Sequence, residues 1–72
     1  MCYYDKLREV REDLDLSRET VAQAIGTTQQ QLYKYEKGLQ EMTVTRFAEL
    51  CKFYKVSADY ILGLPKDLEY PR

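Results

Sequence analysis

Seventy-two residues suffice for one domain with a small core, and a hydrophobic fraction of 44% marks that domain as globular rather than disordered. With no histidine and only Cys2 and Cys51 as thiols, the chain has none of the usual zinc spacings. It also pairs no nucleophile with a base, so the readings with an enzyme, a metal, a cofactor or a small-molecule ligand are set aside. No apolar run approaches the roughly 18 residues of a membrane span and no signal-peptide pattern opens the chain, so the expectation is a soluble protein of the reducing cytoplasm with no membrane partner.

Tyr3, Leu7, Val10 and Leu14 recur at steps of three and four, which predicts a first helix over about 3–13 with one apolar stripe. Arg11 falls beside that stripe. Asp13, Leu14 and Asp15 make a short link. Ser17 can cap a second helix over about 18–25, with Leu16 and Val21 at the spacing of a hydrophobic staple and Val21, Ala22 and Ile25 inward. Gly26 follows where the chain must leave the helix with a positive φ. Thr28 can cap a third helix over about 29–37, and Gln31 three residues on completes a capping box. Leu32 and Tyr35 then face inward, Gln29, Gln30, Tyr33 and Lys34 outward, and Gly38 closes the helix. After a loop over 39–42, Thr43 caps a fourth helix (44–54), whose apolar face carries Val44, Phe47, Leu50, Cys51 and Tyr54. Met42 and Phe47 repeat the staple spacing. Ser57 caps a fifth helix (58–62), Val56 and Ile61 form a third staple, and Gly63 with Pro65 ends it. The domain is therefore predicted over 1–63, with 64–72 as a short tail.

Ala22 and Gly26, four apart, would let a second helix cross the first closely and steeply, the geometry of a helix-turn-helix. The stretch from Leu16 to Gly38 resembles the helix-turn-helix of the lambdoid phage Cro and repressor family. The likeness is carried by the Ser17 cap, Ala22, Gly26, the run Gly26 to Gln30 (G-T-T-Q-Q), Glu36 and Gly38. Val56 to Gly63 (V-S-A-D-Y-I-L-G) resembles the family's closing helix, where the tyrosine and the leucine seal the core. This resemblance implies an all-α, compact five-helix, lambda-repressor-like DNA-binding domain. The second and third helices would form the helix-turn-helix of a small bacterial or phage transcriptional regulator of repressor type. It also implies double-stranded DNA as partner and a homodimer at least on DNA.

The resemblance further implies that Arg11 pairs with Glu36 and ties the first helix to the third; the plainer reading is a solvated arginine. Arg18 stands where many relatives have a glutamine that touches a phosphate or orients a recognition-helix glutamine, and arginine suits a phosphate. The alternative is a surface residue. Asp15 departs from the glycine often found near there in the family, and its charge close to the DNA side is unfavourable; Met42 and Lys55 stand where relatives often have proline and glycine, which predicts looser junctions at both ends of the fourth helix.

Three glutamines in a row are not needed for a helix, whereas a glutamine amide can donate and accept at once against adenine N6 and N7. Gln29, Gln30 and Lys34 are the expected base readers, and Tyr33 can touch a thymine methyl or a phosphate. Arg18, Thr28, Lys37, Gln40, Thr43 and Arg46 are the expected phosphate contacts, helped by helix N-termini. The net charge of −1 argues against DNA. Its distribution softens the point, because residues 1–16 carry three basic and five acidic side chains, residues 17–38 three and two, and residues 39–72 five of each. The rival reading is a protein-interaction module on the same fold, such as the folded part of an antitoxin, favoured somewhat by the acidic balance and by Tyr3, Tyr4 and Tyr33, expected to be exposed.

Overall fold

Five helices follow one another in the computed structural model, which describes residues 2–64: α1 (Tyr3–Asp13), α2 (Arg18–Ile25), α3 (Gln29–Glu36), α4 (Val44–Tyr54) and α5 (Ala58–Leu62). The residues from Pro65 onward, with Leu68 and Pro71 of the expected tail, lie outside the described residues. Among the described residues there is no strand, and no helix is long and apolar enough to cross a membrane.

Hydroxyl caps set where four of the helices begin. Ser17 Oγ accepts the Thr20 N–H at 3.1 Å, Thr28 Oγ1 that of Gln31 at 3.0 Å, Thr43 Oγ1 that of Arg46 at 3.1 Å and Ser57 Oγ that of Tyr60 at 3.3 Å. Each satisfies an N–H that the helix cannot pair internally, worth about 1 kcal/mol. For helices of five to eleven residues, marginal in isolation, that sum is a large part of what defines their ends. α3 stops at Glu36, one residue before the expected end, with Lys37 as its C-cap.

Leu7 of α1, Val21, Ala22 and Ile25 of α2, Leu32 and Tyr35 of α3, Leu50, Cys51 and Tyr54 of α4 and Ile61 of α5 form one buried cluster. The residues preceding three of the caps, Leu16, Met42 and Val56, pack on its margin, as staples require. Three expectations are corrected at its edges. Leu14 is exposed as the cap residue of α1, because the helix ends before the stripe does. Val44 is 84% exposed, since the first residue of α4 precedes the turn that meets the core. In α5 the buried residue is Ile61, whereas Tyr60 and Leu62 are exposed. A five-residue helix buries one side chain along its inner line, and the two beside it point away.

Tyr3 and Tyr4, expected at the surface, are half-buried. The Tyr3 ring meets Phe47 edge-on at 6.0 Å and Tyr4 at 5.4 Å. Tyr4 lies over Gly38, where a Cβ would fall 2.5 Å from its Cζ; with φ at +72°, that position needs glycine for two reasons. Gly26 is different. A Cβ there would meet nothing within 4 Å, so the left-handed φ of +76° alone calls for glycine, and the close approach of α2 and α3 is made at buried Ala22.

Two other residues adopt the left-handed conformation without being glycine, Asp15 (φ 58°) and Lys55 (φ 60°). An L side chain there costs about 1–2 kcal/mol, which glycine avoids at an entropic cost of about 0.5–1 kcal/mol. Lys55, the C-cap of α4, holds the turn all the same through its N–H to the carbonyls of Cys51 and Lys52. Lys55→Gly is therefore expected to stabilise the fold by about 0.5–1 kcal/mol. Urea unfolding measures this; an unchanged or lower midpoint contradicts it.

Candidate nucleic-acid interface

Short α2, the left-handed turn at Gly26 and the Thr28 cap bring α3 across α2, and the two helices share more contacts than any other pair among the described residues. Leu32, Tyr35 and Glu36 are buried on the inner side of α3. Gln29, Gln30, Tyr33 and Lys34 are exposed on its outer side. Together with Arg18 and Leu39 these four line a groove of about 490 Å³.

The inner side holds the electrostatic feature of the molecule. Glu36, its side chain only 3% exposed, takes three hydrogen bonds from two arginines. Arg11 Nε reaches Oε2 at 2.7 Å and Nη2 reaches Oε1 at 3.1 Å, while Arg18 Nε reaches the same Oε1 at 2.8 Å. Arg11 Nη1 also donates to the Leu16 carbonyl at 2.8 Å, which pins the link before α2. The hydrogen bond to Glu36 outweighs burial and raises the already high pKa of Arg11, so the guanidinium stays charged. Among the described residues no buried side-chain polar atom lacks a partner. Glu12 Oε2 approaches Arg11 Nη2 at 4.0 Å from the exposed side, and Arg18, the more exposed of the two arginines, borders the groove.

Arg18 thus has a partner that sequence reasoning missed, and its guanidinium also lies 5.0 Å from the centre of the Tyr33 ring. Lys37 Nζ approaches the same ring at 5.7 Å. Arg46 differs in the same way. Its Nη1 donates to the Ile25 carbonyl at 2.6 Å and to Glu49 Oε1 at 3.1 Å, so it closes the C-terminal end of α2 and fastens it to α4. Thr28 and Thr43 act as caps at helix starts, and Gln40 is exposed in the loop after α3. Leu39 was also missed as a wall of the groove; its one signal is an apolar residue, 69% exposed, in a polar loop.

The fold and this site define a helix-turn-helix domain of the lambda-repressor-like kind. The helix-turn-helix family profile matches residues 7–61, and the chain belongs to that family. It is 38% identical over 55 residues to an HTH-type transcriptional regulator, y4wC, of Sinorhizobium fredii, covering 76% of this chain and 38% of that protein. It is 34% identical over 65 residues to the HTH-type transcriptional regulator YobD of Bacillus subtilis, covering 90% of this chain and 58% of that protein. It is 37% identical over 54 residues to the cryptic phage CTXphi transcriptional repressor RstR of Vibrio cholerae, covering 75% and 49%. The chain spans 38% to 58% of the length of these relatives. Among solved structures, the P22 c2 repressor protein in complex with synthetic operator 9T has the same fold, with a TM-score of 0.79, 19% identity, and coverage of 86% of this chain and 94% of that one.

Removing one partner of a buried ion pair leaves the other charge uncompensated, so Glu36→Ala is expected to cost roughly 3 kcal/mol, well beyond the ~0–1 kcal/mol of a surface pair. A double-mutant cycle with Arg11→Ala should show strong coupling in urea unfolding; additive losses refute the pairing. Burial also pushes the Tyr54 phenol well above its ordinary value, with Glu36 adding to the shift and Arg11 opposing it. A raised folded-state pKa means stability that is complete below the unfolded value, about 10, and falls as pH rises beyond it. Tyr54 should therefore make stability fall by up to about 1.4 kcal/mol per pH unit above pH 10, and Tyr54→Phe should remove that component. Identical pH profiles for the two proteins between pH 8 and 11 would rule it out.

Proposed function

We propose that this chain binds double-stranded DNA sequence-specifically as a transcriptional regulator of repressor type, with α3 in the major groove. The observation that carries the reading is the groove itself. Two exposed amides, Gln29 and Gln30, stand in the first turn of α3, with Lys34 one turn on and the partly exposed Arg18 beside them. Amide pairs of this kind match the donor and acceptor edge of adenine. The regulators and the repressor among the relatives support the reading, and so does the fold's occurrence in a repressor solved on an operator.

Gln29, Gln30 and Lys34 are assigned to base edges, and Tyr33 with Leu39 supplies apolar wall for a thymine methyl. Thr28, Lys37, Gln40 and Thr43 are assigned to phosphates, the two threonines at helix N-termini. The domain comprises residues 1–63 and acts in the cytoplasm without a cofactor or catalytic step. One such domain covers a half-site, so a homodimer forms at least on DNA. The exposed Tyr60, Leu62 and Leu64 at and after α5 are its contact. The rival reading, a protein-interaction module, is less favoured because two of its three supporting tyrosines, Tyr3 and Tyr4, are half-buried, engaged with Phe47 and Gly38.

Selection from a random duplex pool tests the proposal. The expected product is a motif with two half-sites about one helical turn apart. On that duplex, Gln29→Ala or Gln30→Ala should cost about 1–3 kcal/mol, with little loss on scrambled DNA. Failure of any motif to enrich at low salt favours the protein-binding module, and equal losses on both duplexes remove α3 from base reading.

A further inference from the structure

Arg18, expected from the sequence at a phosphate, has two partners within the domain. Its Nε is held by a carboxylate that is almost wholly buried, and its guanidinium carbon lies over the ring of Tyr33, 5.0 Å from the centroid. Tyr33 is 43% exposed and has the Lys37 ammonium on it as well. A tyrosine on the outer side of a short helix would normally sample several rotamers. Here a cation from α2, fixed in turn by Glu36 of α3, lies against it. Arginine suits this double task, because its planar group can bond a carboxylate edge-on and stack by its face at the same time; lysine cannot do both.

We propose that Arg18 is a positioning residue for DNA reading: anchored by Glu36, it fixes the Tyr33 ring as a rigid wall of the groove and so sets the shape that Gln29, Gln30 and Lys34 present to base edges. This deepens, and rests on, the regulator reading above. The chain of contacts runs from Arg11 in α1 through Glu36 to Arg18 in α2 and back to Tyr33 in α3. Fixing Tyr33 before binding removes the need to order it on DNA, and the gain applies only where the base pair beside the ring fits. Specificity, more than total affinity, is therefore what Arg18 controls.

The test uses the duplex enriched from the random pool and a scrambled duplex, each titrated at several salt concentrations. Arg18→Lys keeps the charge and loses the stack. It should weaken the enriched duplex roughly fivefold, the size of one exposed cation–π contact, leave the scrambled duplex unchanged and keep the salt slope. Arg18→Gln should lower the same ratio at least as far, again without the drop of roughly one in slope that a lost phosphate contact gives. Either substitution should add nothing to Tyr33→Ala. Full binding by Arg18→Lys, a fall of about one in the slope for Arg18→Gln, or losses additive with Tyr33→Ala overturns the proposal. In the free protein, the Cδ protons of Arg18 should be shifted upfield by the ring and return to ordinary values in Tyr33→Leu; unshifted protons overturn the stack directly. A wild-type chain that discriminates among no sequences overturns the regulator reading and the reading role of Arg18 together. The ring-current shift survives that outcome, which separates it from a failure of the stack.

Discussion

One buried carboxylate holds three helices to each other. Glu36 ends α3 on the inner side, and its two oxygens are filled by guanidiniums from α1 and α2. Arg11 adds the Leu16 carbonyl to the same junction, so the link that aims α2 is tied as well. Taking such charges out of water is expensive, and apolar groups of the same volume are often as stabilising. What apolar packing would not supply is direction. A leucine in place of Glu36 could slide or rotate by several degrees at little cost, whereas a carboxylate with three short, oriented bonds fixes the roll of α3 about its axis. That roll decides which residues face outward.

The outer side of α3 can then be chosen for chemistry alone. A helix of eight residues whose only support was its own propensity would not tolerate three consecutive glutamines, a tyrosine and a lysine with nothing to hold them. Here the Thr28 cap starts the helix, Leu32 and Tyr35 bury it, and Glu36 orients it. Arg46 extends the same logic to α2. By closing on the Ile25 carbonyl it satisfies the end of that helix and joins the helix-turn-helix to α4. The groove is thus mounted on elements secured from behind, and its own side chains carry little of the fold's stability.

Much of this was legible in the sequence because it is local. Ser17, Thr28, Thr43 and Ser57 announce helix starts within a few residues of themselves, and each start lies where its cap predicts. Leu16, Met42 and Val56 likewise gave away their packing by their distance from Val21, Phe47 and Ile61. Legibility fell where a residue's fate depends on something remote. Val44 and Leu14 belong to apolar stripes but sit at helix ends, where the stripe outlasts the contact. Tyr60 and Leu62 flank Ile61 in a helix too short to show a period. The Arg11–Glu36 pair spans 25 residues and was reached through family likeness; Arg18–Glu36 spans 18 and had no such guide. Nothing in the spacing of a surface-looking arginine says that a buried carboxylate will take it. The assignments of Gln29, Gln30 and Lys34 to base edges remain a reading of chemistry from exposure, since a sequence says which groups can read a base before anything says which base.

Charge brings the two halves of the molecule together. A chain of net charge −1 has little long-range attraction for a polyanion, and Arg11, Arg18 and Arg46 all donate to oxygens within the domain. Arg18 and Lys34 line the groove, and Lys37 approaches the Tyr33 ring at 5.7 Å. Binding that released many counterions would need cations spread along both flanks. On the proposed reading, the cations Arg18 and Lys34 act at the outer side of α3, after that helix has entered the major groove. That reading predicts weak non-specific association and an affinity that depends on how well base edges meet the amides and the Tyr33 wall. A small domain gains discrimination this way without a large interface, because what it lacks is the sequence-independent part of the attraction.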